Sequence, residues 1–408
     1  MQLSAKNSAM SADTRRLLLD QVDRFARERL APAAQAVDDA GVFPVELYRE
    51  FAALGVFGIF VGEPDGGIGP DLIAACLVCE RLARESLSFA ITVSNCGDCL
   101  APIAKAAPSQ MRDDTMSGIL SGEIIPAFCL SEASGGSDVV AMQMRARHDG
   151  DSYVLNGSKA WITSAPVANV MVIFAVTDPE ASHRGISAFL VPRSSPGLNV
   201  GPAEDLLGLK SSPVATVNCV DVVVPAARRL GDEGAGFPLA MVAMDEARAV
   251  IAACAIGAAA RAVETAVTYA RERKQFGKPI IDHQGLGFLL ADMVSGLASV
   301  RAILASAVLA IEHPVGRRAG TYAAIAKKAA TDFAMKAAID AAQVLGANGL
   351  TRSFPVARLI RDCKALQIFE GTNQIQQWII ARELARNGLD LIDLAGLLEE
   401  AGASAHSA

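Results

Sequence analysis

Several features that signal other kinds of protein are missing from this sequence. Its 408 residues carry a net charge of −7, and no run of like charges is longer than a few residues. Proteins that bind a nucleic-acid backbone or an anionic membrane surface concentrate Lys and Arg in such runs. We therefore expect no nucleic acid and no charged lipid surface among its partners.

Long uncharged apolar runs are missing as well. The run 249–260 is too short to cross a bilayer, and the run 288–311 carries Asp292 and Arg301. Near the N-terminus, no apolar core is followed by a small-residue cleavage site. The expectation is a protein without membrane spans and, by default, a cytoplasmic location.

Cysteine is sparse, since eight in 408 residues are too few for a secreted disulfide scaffold. Cys76, Cys79, Cys96 and Cys99 nevertheless have the C-x2-C-x16-C-x2-C spacing of a zinc ribbon. The first pair lies in an apolar stretch of helical period, without the Gly or Pro that lets a metal knuckle turn. Core packing is therefore favoured over metal binding, and no metal site is expected.

Hydrophobic residues are plentiful at 51%, enough for the cores of several domains. Their spacing divides the chain into three parts. It predicts an N-terminal α-helical domain over 1–124, a middle antiparallel β domain over 125–236 and a C-terminal four-helix bundle over 237–408. The expected fold class is therefore α+β and multidomain.

Pro and Gly residues interrupt the helical spacing of the C-terminal part. Its long helices are predicted at 238–275, 283–312, 317–346 and 355–387. In the β domain, Asp149-Gly150 and Asn156-Gly157 are predicted to be turns between strands. The end of the chain, 397–408, is expected to be frayed.

The entry to the β domain reads FCLSEASGGSD over 128–138. Its Ser and Gly residues offer hydroxyls and sparsely covered N–H groups that suit the polar edge of a ring system, although an ordinary Gly-rich turn is the plainer interpretation. Further on, Trp161 and Thr163 stand two apart on a predicted strand and so share a face. The indole there either stacks on a flat ligand or fills the core.

A lone carboxylate, Glu370, lies in IFEGTNQIQ over 368–376. It is either a general base or a surface acid at the N-terminus of a helix that starts near Thr372. Three other stretches also have plain interpretations. MDEAR (244–248) could be a helix start, RERKQFGKPIIDHQ (271–284) a solvated basic turn, and QVLGANG (343–349) a helix C-cap.

In this order and spacing, the stretches resemble the acyl-CoA dehydrogenase family over about Asp13 to Ala385. Its members are flavoenzymes that oxidise the α–β bond of a thioester. The resemblance implies FAD as cofactor, an acyl-CoA as substrate, an electron-transferring flavoprotein as electron acceptor, and a homotetramer.

The resemblance also implies residue roles. Glu370 matches the catalytic base, and Ala247 stands where some relatives carry theirs instead. Substrate contacts are implied for Ser137, Asp245, Arg248 and Gly371. FAD contacts are implied for Phe128, Leu130, Ser131, Ser137, Trp161, Ile162, Thr163, Arg273, Lys274, Gln275, Phe276, His283, Gln284, Gln343, Val344, Gly346, Ala347, Thr372 and Gln374, of which 273–276, 283 and 284 act across a subunit boundary.

The chain departs from the family pattern in places. Ala133 replaces a Pro, which leaves its loop less rigid. Ala347 replaces the second of two glycines beside FAD, and Phe369 replaces a Tyr, which is expected to alter substrate preference at most. Relatives that take dicarboxylic acyl groups have an Arg where this chain has Phe89, so an uncharged acyl chain of short to medium length is expected.

Other functions remain open at this stage. One alternative is an enzyme of the same fold that acts on a carrier-protein-bound or otherwise specialised acyl thioester. Another is an oxidase that passes electrons to oxygen. A non-catalytic zinc-ribbon scaffold is the alternative from a different class.

Overall fold

Helices make up the first part of the chain. The computed structural model describes residues 10–312 and 318–392, so the stretch 397–408 lies outside the described residues. The helices are α1 (Ala12–Phe25), α2 (Ala31–Ala40), α3 (Val45–Ala52), α4 (Leu72–Glu85), α5 (Leu87–Ala106) and α6 (Ser109–Leu120). Side-chain caps start several of them: Asp71 accepts a hydrogen bond from the N–H of Ala74, and Ser86 accepts one from that of Phe89.

The middle part is an eight-stranded sheet. Its strands are β1 (Pro126–Cys129), β2 (Arg145–Asp149), β3 (Ser152–Thr163), β4 (Val170–Val176), β5 (Ile186–Pro192), β6 (Leu198–Val200), β7 (Val214–Pro225) and β8 (Arg229–Leu230). The order is β6-β7-β3-β2-β4-β5-β8, with β1 beside β4. Most neighbours are antiparallel, as predicted, but β1 runs parallel to β4, and β2 meets β4 in the parallel sense at Arg145 and Val176.

The two predicted turns have different outcomes. A turn does link β2 to β3, one residue later than predicted: Asp149 ends β2, and Gly150, with a positive φ of 61°, and Asp151 form the link. The turn predicted at Asn156-Gly157 is wrong, because both residues lie inside β3, at a register shift against β7. Gly157 has φ 141°, and a Cβ there would lie 2.8 Å from Met144 Cα, so the glycine serves a bulge packed against the neighbouring backbone.

Helices return at Gly236. They are α7 (Gly236–Glu272), α8 (Gln284–Glu312), α9 (Arg318–Leu345), α10 (Val356–Leu366) and α11 (Asn373–Asn387), with a small hairpin of β9 (Lys274–Gln275) and β10 (Lys278–Pro279) after α7. The single helix predicted over 355–387 is therefore wrong. The chain leaves α10 at Leu366 and starts α11 only after Thr372, whose hydroxyl caps the new helix by accepting from the N–H of Ile375 at 3.2 Å.

The core is centred on α7, which packs against α4, α5, α8 and α9. Small buried residues such as Ala252, Ala255 and Ala259 let these helices approach closely. Cys76 and Cys79 on α4, and Cys96 and Cys99 on α5, are buried free thiols within helices. Among the described residues, no group of three or more His, Cys, Asp or Glu side chains has an arrangement that could hold a metal ion.

Within residues 10–312 and 318–392, three helices, α5, α7 and α8, are long and apolar enough to cross a membrane by length and composition. The most apolar windows of α5 and α7 are 83% and 78% buried inside the fold, which accounts for their composition as core helices. The window of α8 is only 28% buried, so this helix presents an apolar face at the surface of the chain.

Candidate active site

A cleft of about 1300 Å³ lies between the β sheet, α5, α7 and the α10–α11 region. Many of the residues for which the resemblance implies a site role line this cleft. Those lining it are Phe128, Leu130, Ser131, Ser137, Trp161, Ile162, Thr163, Asp245, Arg248, Glu370, Gly371 and Thr372. Segments that are more than 200 residues apart in sequence therefore meet at one site.

The remaining candidates lie elsewhere on the chain. Arg273, Lys274, Gln275 and Phe276 lie at the hairpin after α7, where Phe276 is 94% exposed, and His283 and Gln284 lie at the start of α8. Gln343, Val344, Gly346 and Ala347 lie at the end of α9, and Gln374 lies on the outer side of α11. Val344 is buried. None of these residues lines the cleft of the same chain.

Glu370 occupies the loop that joins α10 to α11. Its φ is 52° and that of Gly371 is 81°, so both residues are in the left-handed region, which is costly for Glu and natural for Gly. The side-chain amide of Gln376 donates to the carbonyl of Glu370 at 3.2 Å and to that of Gly371 at 2.8 Å. These bonds fix the strained turn.

Lys327, on α9, also holds this loop in place through hydrogen bonds. Its buried Nζ donates to the Gly371 carbonyl at 2.9 Å and to Asn373 Oδ1 at 3.0 Å. Asn373 in turn donates to Asp332 at 2.7 Å. Burial lowers the pKa of Lys327 to about 8, and the nearby Glu370 carboxylate opposes that shift.

The carboxyl of Glu370 is enclosed by protein. Burial raises its pKa, while the positive charges of Arg248 and Lys327 oppose the rise. Arg248 is itself buried and donates to Asp245 at 2.6 Å, and its Nε has no hydrogen-bond partner among the described residues. The site thus combines an enclosed acid of raised pKa with one incompletely paired guanidinium.

The β-sheet side of the cleft presents a flat aromatic surface. Trp161 has φ 63° and is 62% exposed, with Ile162 and Thr163 beside it on the cleft wall. An indole that fills the core would be buried, so the core interpretation of Trp161 does not fit. Such an exposed ring beside a hydroxyl suits a planar ligand with polar edges.

A buried ion pair that sequence reasoning missed supports this wall. Lys159 is fully buried on β3, and its Nζ donates to Glu132 at 2.9 Å and to the Leu130 carbonyl at 3.0 Å. Glu132 also accepts from the N–H groups of Gln143 and Met144. These contacts hold the loop that starts at Ser131 against the sheet. The sequence around Lys159 gives no clear signal of this pair, because small or polar residues precede it at Gly157 and Ser158.

Phe89 does not lie at the substrate site, contrary to the expectation. Phe89 is 1% exposed and packs on the rings of Phe25 and Phe51 inside the N-terminal helices, whereas Ile91 and Asn95 are the α5 residues that line the cleft. Position 89 therefore carries no information about the acyl group in this fold. Arg84 pairs with Glu264 at 3.0 Å, away from the cleft lining.

Comparison with known proteins supports this arrangement over most of the chain. Models of the N-terminal, middle and C-terminal domains of acyl-CoA dehydrogenases match residues 12–123, 127–222 and 234–385. An acyl-CoA dehydrogenase of Bacillus subtilis (strain 168) is 38% identical over 369 residues, which cover 90% of this chain and 97% of that protein.

Solved structures agree in fold. Butyryl-CoA dehydrogenase from Megasphaera elsdenii matches with a TM-score of 0.88 and 34% identity, covering 93% of this chain and 100% of that one. The prolyl acyl carrier protein oxidase AnaB matches with a TM-score of 0.87 and 25% identity, covering 92% of this chain and 100% of that one. The three-domain α–β–α architecture is thereby confirmed, and the chain belongs to the acyl-CoA dehydrogenase family of FAD-dependent oxidoreductases.

Proposed function

We propose that this protein oxidises the α–β bond of an acyl-CoA thioester to the trans-2-enoyl thioester, with FAD as cofactor and Glu370 as base. The observation that carries the proposal is the position of Glu370, an enclosed carboxyl of raised pKa that lines the same cleft as the exposed Trp161. We place this reaction in the metabolism of fatty or related acyl thioesters, and we propose that it takes place in the cytoplasm.

The residues of the cleft fit a flavin. Trp161 offers a ring face, and Ser131, Ser137 and Thr163 offer hydroxyls around it. Ser212 Oγ, which is buried at the same cleft, has no hydrogen-bond partner among the described residues, so it is available to a ligand. When bound here, FAD supplies the acceptor, at N5, for the β-hydrogen and its electron pair.

The protein's own groups handle the proton and the developing charge. A proton next to a thioester carbonyl is weakly acidic, so its removal needs a positioned base, for which the raised pKa of Glu370 is suited. The α-proton passes to the Glu370 carboxylate as the β-hydride leaves and the α–β double bond forms. The backbone N–H of Glu370 has no acceptor among the described residues and is assigned to the thioester oxygen.

The direct test uses the purified protein. We expect the absorbance of an oxidised flavin and its anaerobic bleaching by acyl-CoA thioesters. Reoxidation by an electron-transferring flavoprotein, without peroxide release in air, identifies a dehydrogenase; rapid peroxide release identifies an oxidase. A colourless preparation that takes up no FAD would overturn the proposal.

The Glu370 pKa predicts a pH dependence. A base acts in its deprotonated form, so flavin reduction slows as pH falls through the raised pKa of Glu370. Arg248 opposes that rise, so Arg248→Met should move the acid limb of the pH–rate profile to higher pH. Arg382→Met, at an arginine that lines the cleft but does not act on Glu370, is the control and should leave the limb in place. A shift to lower pH with Arg248→Met would contradict the electrostatic assignment.

We assign the adenine and pyrophosphate half of FAD to a second copy of the chain, held by the hairpin residues Arg273 to Phe276, by His283 and Gln284, and by the end of α9. Arg273 is exposed and lines no part of its own chain's cleft, and a guanidinium pairs well with phosphate oxygens. The apolar surface of α8 is consistent with subunit association into a homotetramer.

Arg273→Ala should weaken FAD retention about 10- to 100-fold, because it removes a charge-assisted contact to phosphate. The measurement is equilibrium dialysis of the holoprotein with fluorescence of the released FAD. Arg271→Ala, two residues earlier and also exposed, is the matched control. Equal FAD affinities of the two variants would contradict the assignment.

A second candidate substrate is an acyl group carried by a protein. It is favoured by the fold match to AnaB, a prolyl acyl carrier protein oxidase. Little bleaching with any free CoA thioester, together with rapid bleaching by a carrier-bound one, would establish it.

A further inference from the structure

Asn95 is a polar residue on a buried part of the cleft wall. It lies on α5, one turn after Ile91, and both residues line the cleft. Asn95 is only 8% exposed and Ile91 is also buried, whereas Leu207 and Trp378, which line the cleft as well, are well exposed. The cleft therefore has an enclosed inner part at α5 and a part that is open to solvent.

Two hydrogen bonds fix the orientation of the Asn95 amide. Its Nδ2 donates to the Pro126 carbonyl at 3.3 Å and to Ser164 Oγ at 3.5 Å. A carbonyl oxygen only accepts, so the atom beside Pro126 must be the amide nitrogen, and the other end of the amide must be the oxygen.

The oxygen of this amide has no partner in the protein. No described residue donates to Asn95 Oδ1. Ser94 Oγ, on the same helix, also lacks a partner among the described residues but is sealed from solvent, whereas Asn95 Oδ1 is not sealed. Because Asn95 lines the cleft, its oxygen is an acceptor that meets whatever fills the inner part of the cleft.

The acyl chain of the substrate extends toward this oxygen. Ser164, which Asn95 contacts, directly follows Trp161 and Thr163 on the flavin side of the cleft, and α5 also contacts α10, the helix that leads to Glu370. The phosphates of CoA need water and stay in the open part of the cleft. A thioester with its α-carbon at Glu370 and its β-carbon at the flavin therefore carries the rest of its acyl chain into the inner part.

The chemistry of the inner part favours a neutral donor. An apolar chain end there would take water away from Asn95 Oδ1 and leave a buried acceptor unpaired, which is unfavourable. A hydroxyl is close to a methyl group in size and donates a hydrogen bond. Ile91, Pro126 and Ser164, which surround the amide, carry no charge, so they would not compensate the desolvation of an ammonium group.

We propose that Asn95 is a specificity-determining residue that accepts a hydrogen bond from a hydroxyl on the acyl chain beyond the β-carbon. The protein then prefers a hydroxyacyl thioester, which it oxidises at the α–β bond with the hydroxyl retained. The proposal rests on the dehydrogenation assigned above and names its substrate class. Unlike the expectation that depended on Phe89, it depends on a residue that lines the cleft.

The test compares thioesters of equal shape. Three pairs differ by a terminal hydroxyl in place of a methyl group: 4-hydroxybutyryl and pentanoyl, 5-hydroxypentanoyl and hexanoyl, and 6-hydroxyhexanoyl and heptanoyl. Each acyl group is offered on CoA and on pantetheine, the arm that CoA and carrier proteins share, and anaerobic flavin bleaching gives kcat/KM. In at least one pair we expect the hydroxyl member to react faster.

Asn95→Leu removes the acceptor and keeps a side chain of similar size. We expect it to lower the ratio of the hydroxyl rate to the methyl rate about 10- to 100-fold. Part of that change should be a faster reaction of the methyl member, because no oxygen is left unpaired beside it. Asn199→Leu is the matched control and should leave the ratio unchanged, since Asn199 is exposed, lies outside the cleft lining and also donates to a backbone carbonyl, that of Gly197.

Three results would overturn the inference. They are a wild-type preference for the methyl member in all three pairs, which needs no variant, a ratio that Asn95→Leu changes by less than about twofold, and weaker FAD binding by Asn95→Leu at an unchanged ratio, which would assign the amide to the flavin. Bleaching by no thioester at all would instead overturn the proposed dehydrogenation, so the two failures are distinguishable.

Discussion

Glu370→Gln is expected to slow the anaerobic bleaching of the flavin by an acyl-CoA about 10²- to 10⁴-fold, the usual contribution of a general base. The change keeps the volume of the side chain and removes its charge, so the folded, yellow holoprotein should persist. Stopped-flow absorbance measures the rate of flavin reduction directly. The structure offers no second carboxyl at position 247, where Ala is found, to take over the proton.

Two comparisons make this result specific. Glu123→Gln, at an exposed carboxylate outside the cleft lining, should reduce its flavin at the parent rate. Bleaching of Glu370→Gln within tenfold of the parent would mean that another group removes the proton.

The structure brings Glu370, Gly371 and Thr372, whose roles the resemblance implies, to the cleft wall. The sequence nevertheless predicts one helix where the structure has α10 and α11. The apolar spacing continues across 367–372, and only Gly371 and the Thr372 cap mark the break. The spacing of apolar residues shows which side of a helix packs against the core. It does not reveal a short strained loop when the helices before and after the loop pack against the same core.

Other features depend on contacts between distant segments. Phe89 was placed in the substrate region by counting along α5, but this helix is buried on nearly every side, so its sequence carries little information on which face meets the cleft. Lys327 and Lys159 were missed for a related reason. The residues next to each lysine do not reveal its partners, which lie 44 or 46 residues away for Lys327 and 27 or 29 residues away for Lys159.

These two lysines have parallel roles on opposite sides of the cleft. Lys327 holds the loop of Glu370 through the Gly371 carbonyl, and Lys159 holds the loop of Ser131 through the Leu130 carbonyl and Glu132. The strained backbone at Glu370 is thus kept in place by bonds from α9 and α11, which leaves the carboxyl free to act on substrate.

Lys159→Met should destabilise the protein by about 3 to 5 kcal/mol, because it leaves the Glu132 carboxylate enclosed without its cation. Lys159 is fully buried and Glu132 is 5% exposed, so water cannot take the place of the lost partner. The loop that begins at Ser131 loses its anchor at the same time, so FAD should be released more easily. Guanidinium denaturation followed by tryptophan fluorescence measures the first effect, and fluorescence of free FAD the second.

The double variant Lys159→Met with Glu132→Gln distinguishes the cause. It removes both charges, so we expect it to recover much of the lost stability, since an amide is far less costly to enclose than an unpaired carboxylate. Lys336→Met breaks an exposed lysine–carboxylate pair with Asp340 on α9 and should cost no more than about 1 kcal/mol. If Lys159→Met lost no more stability than Lys336→Met, the buried ion pair would not be what holds the loop that starts at Ser131 to the sheet.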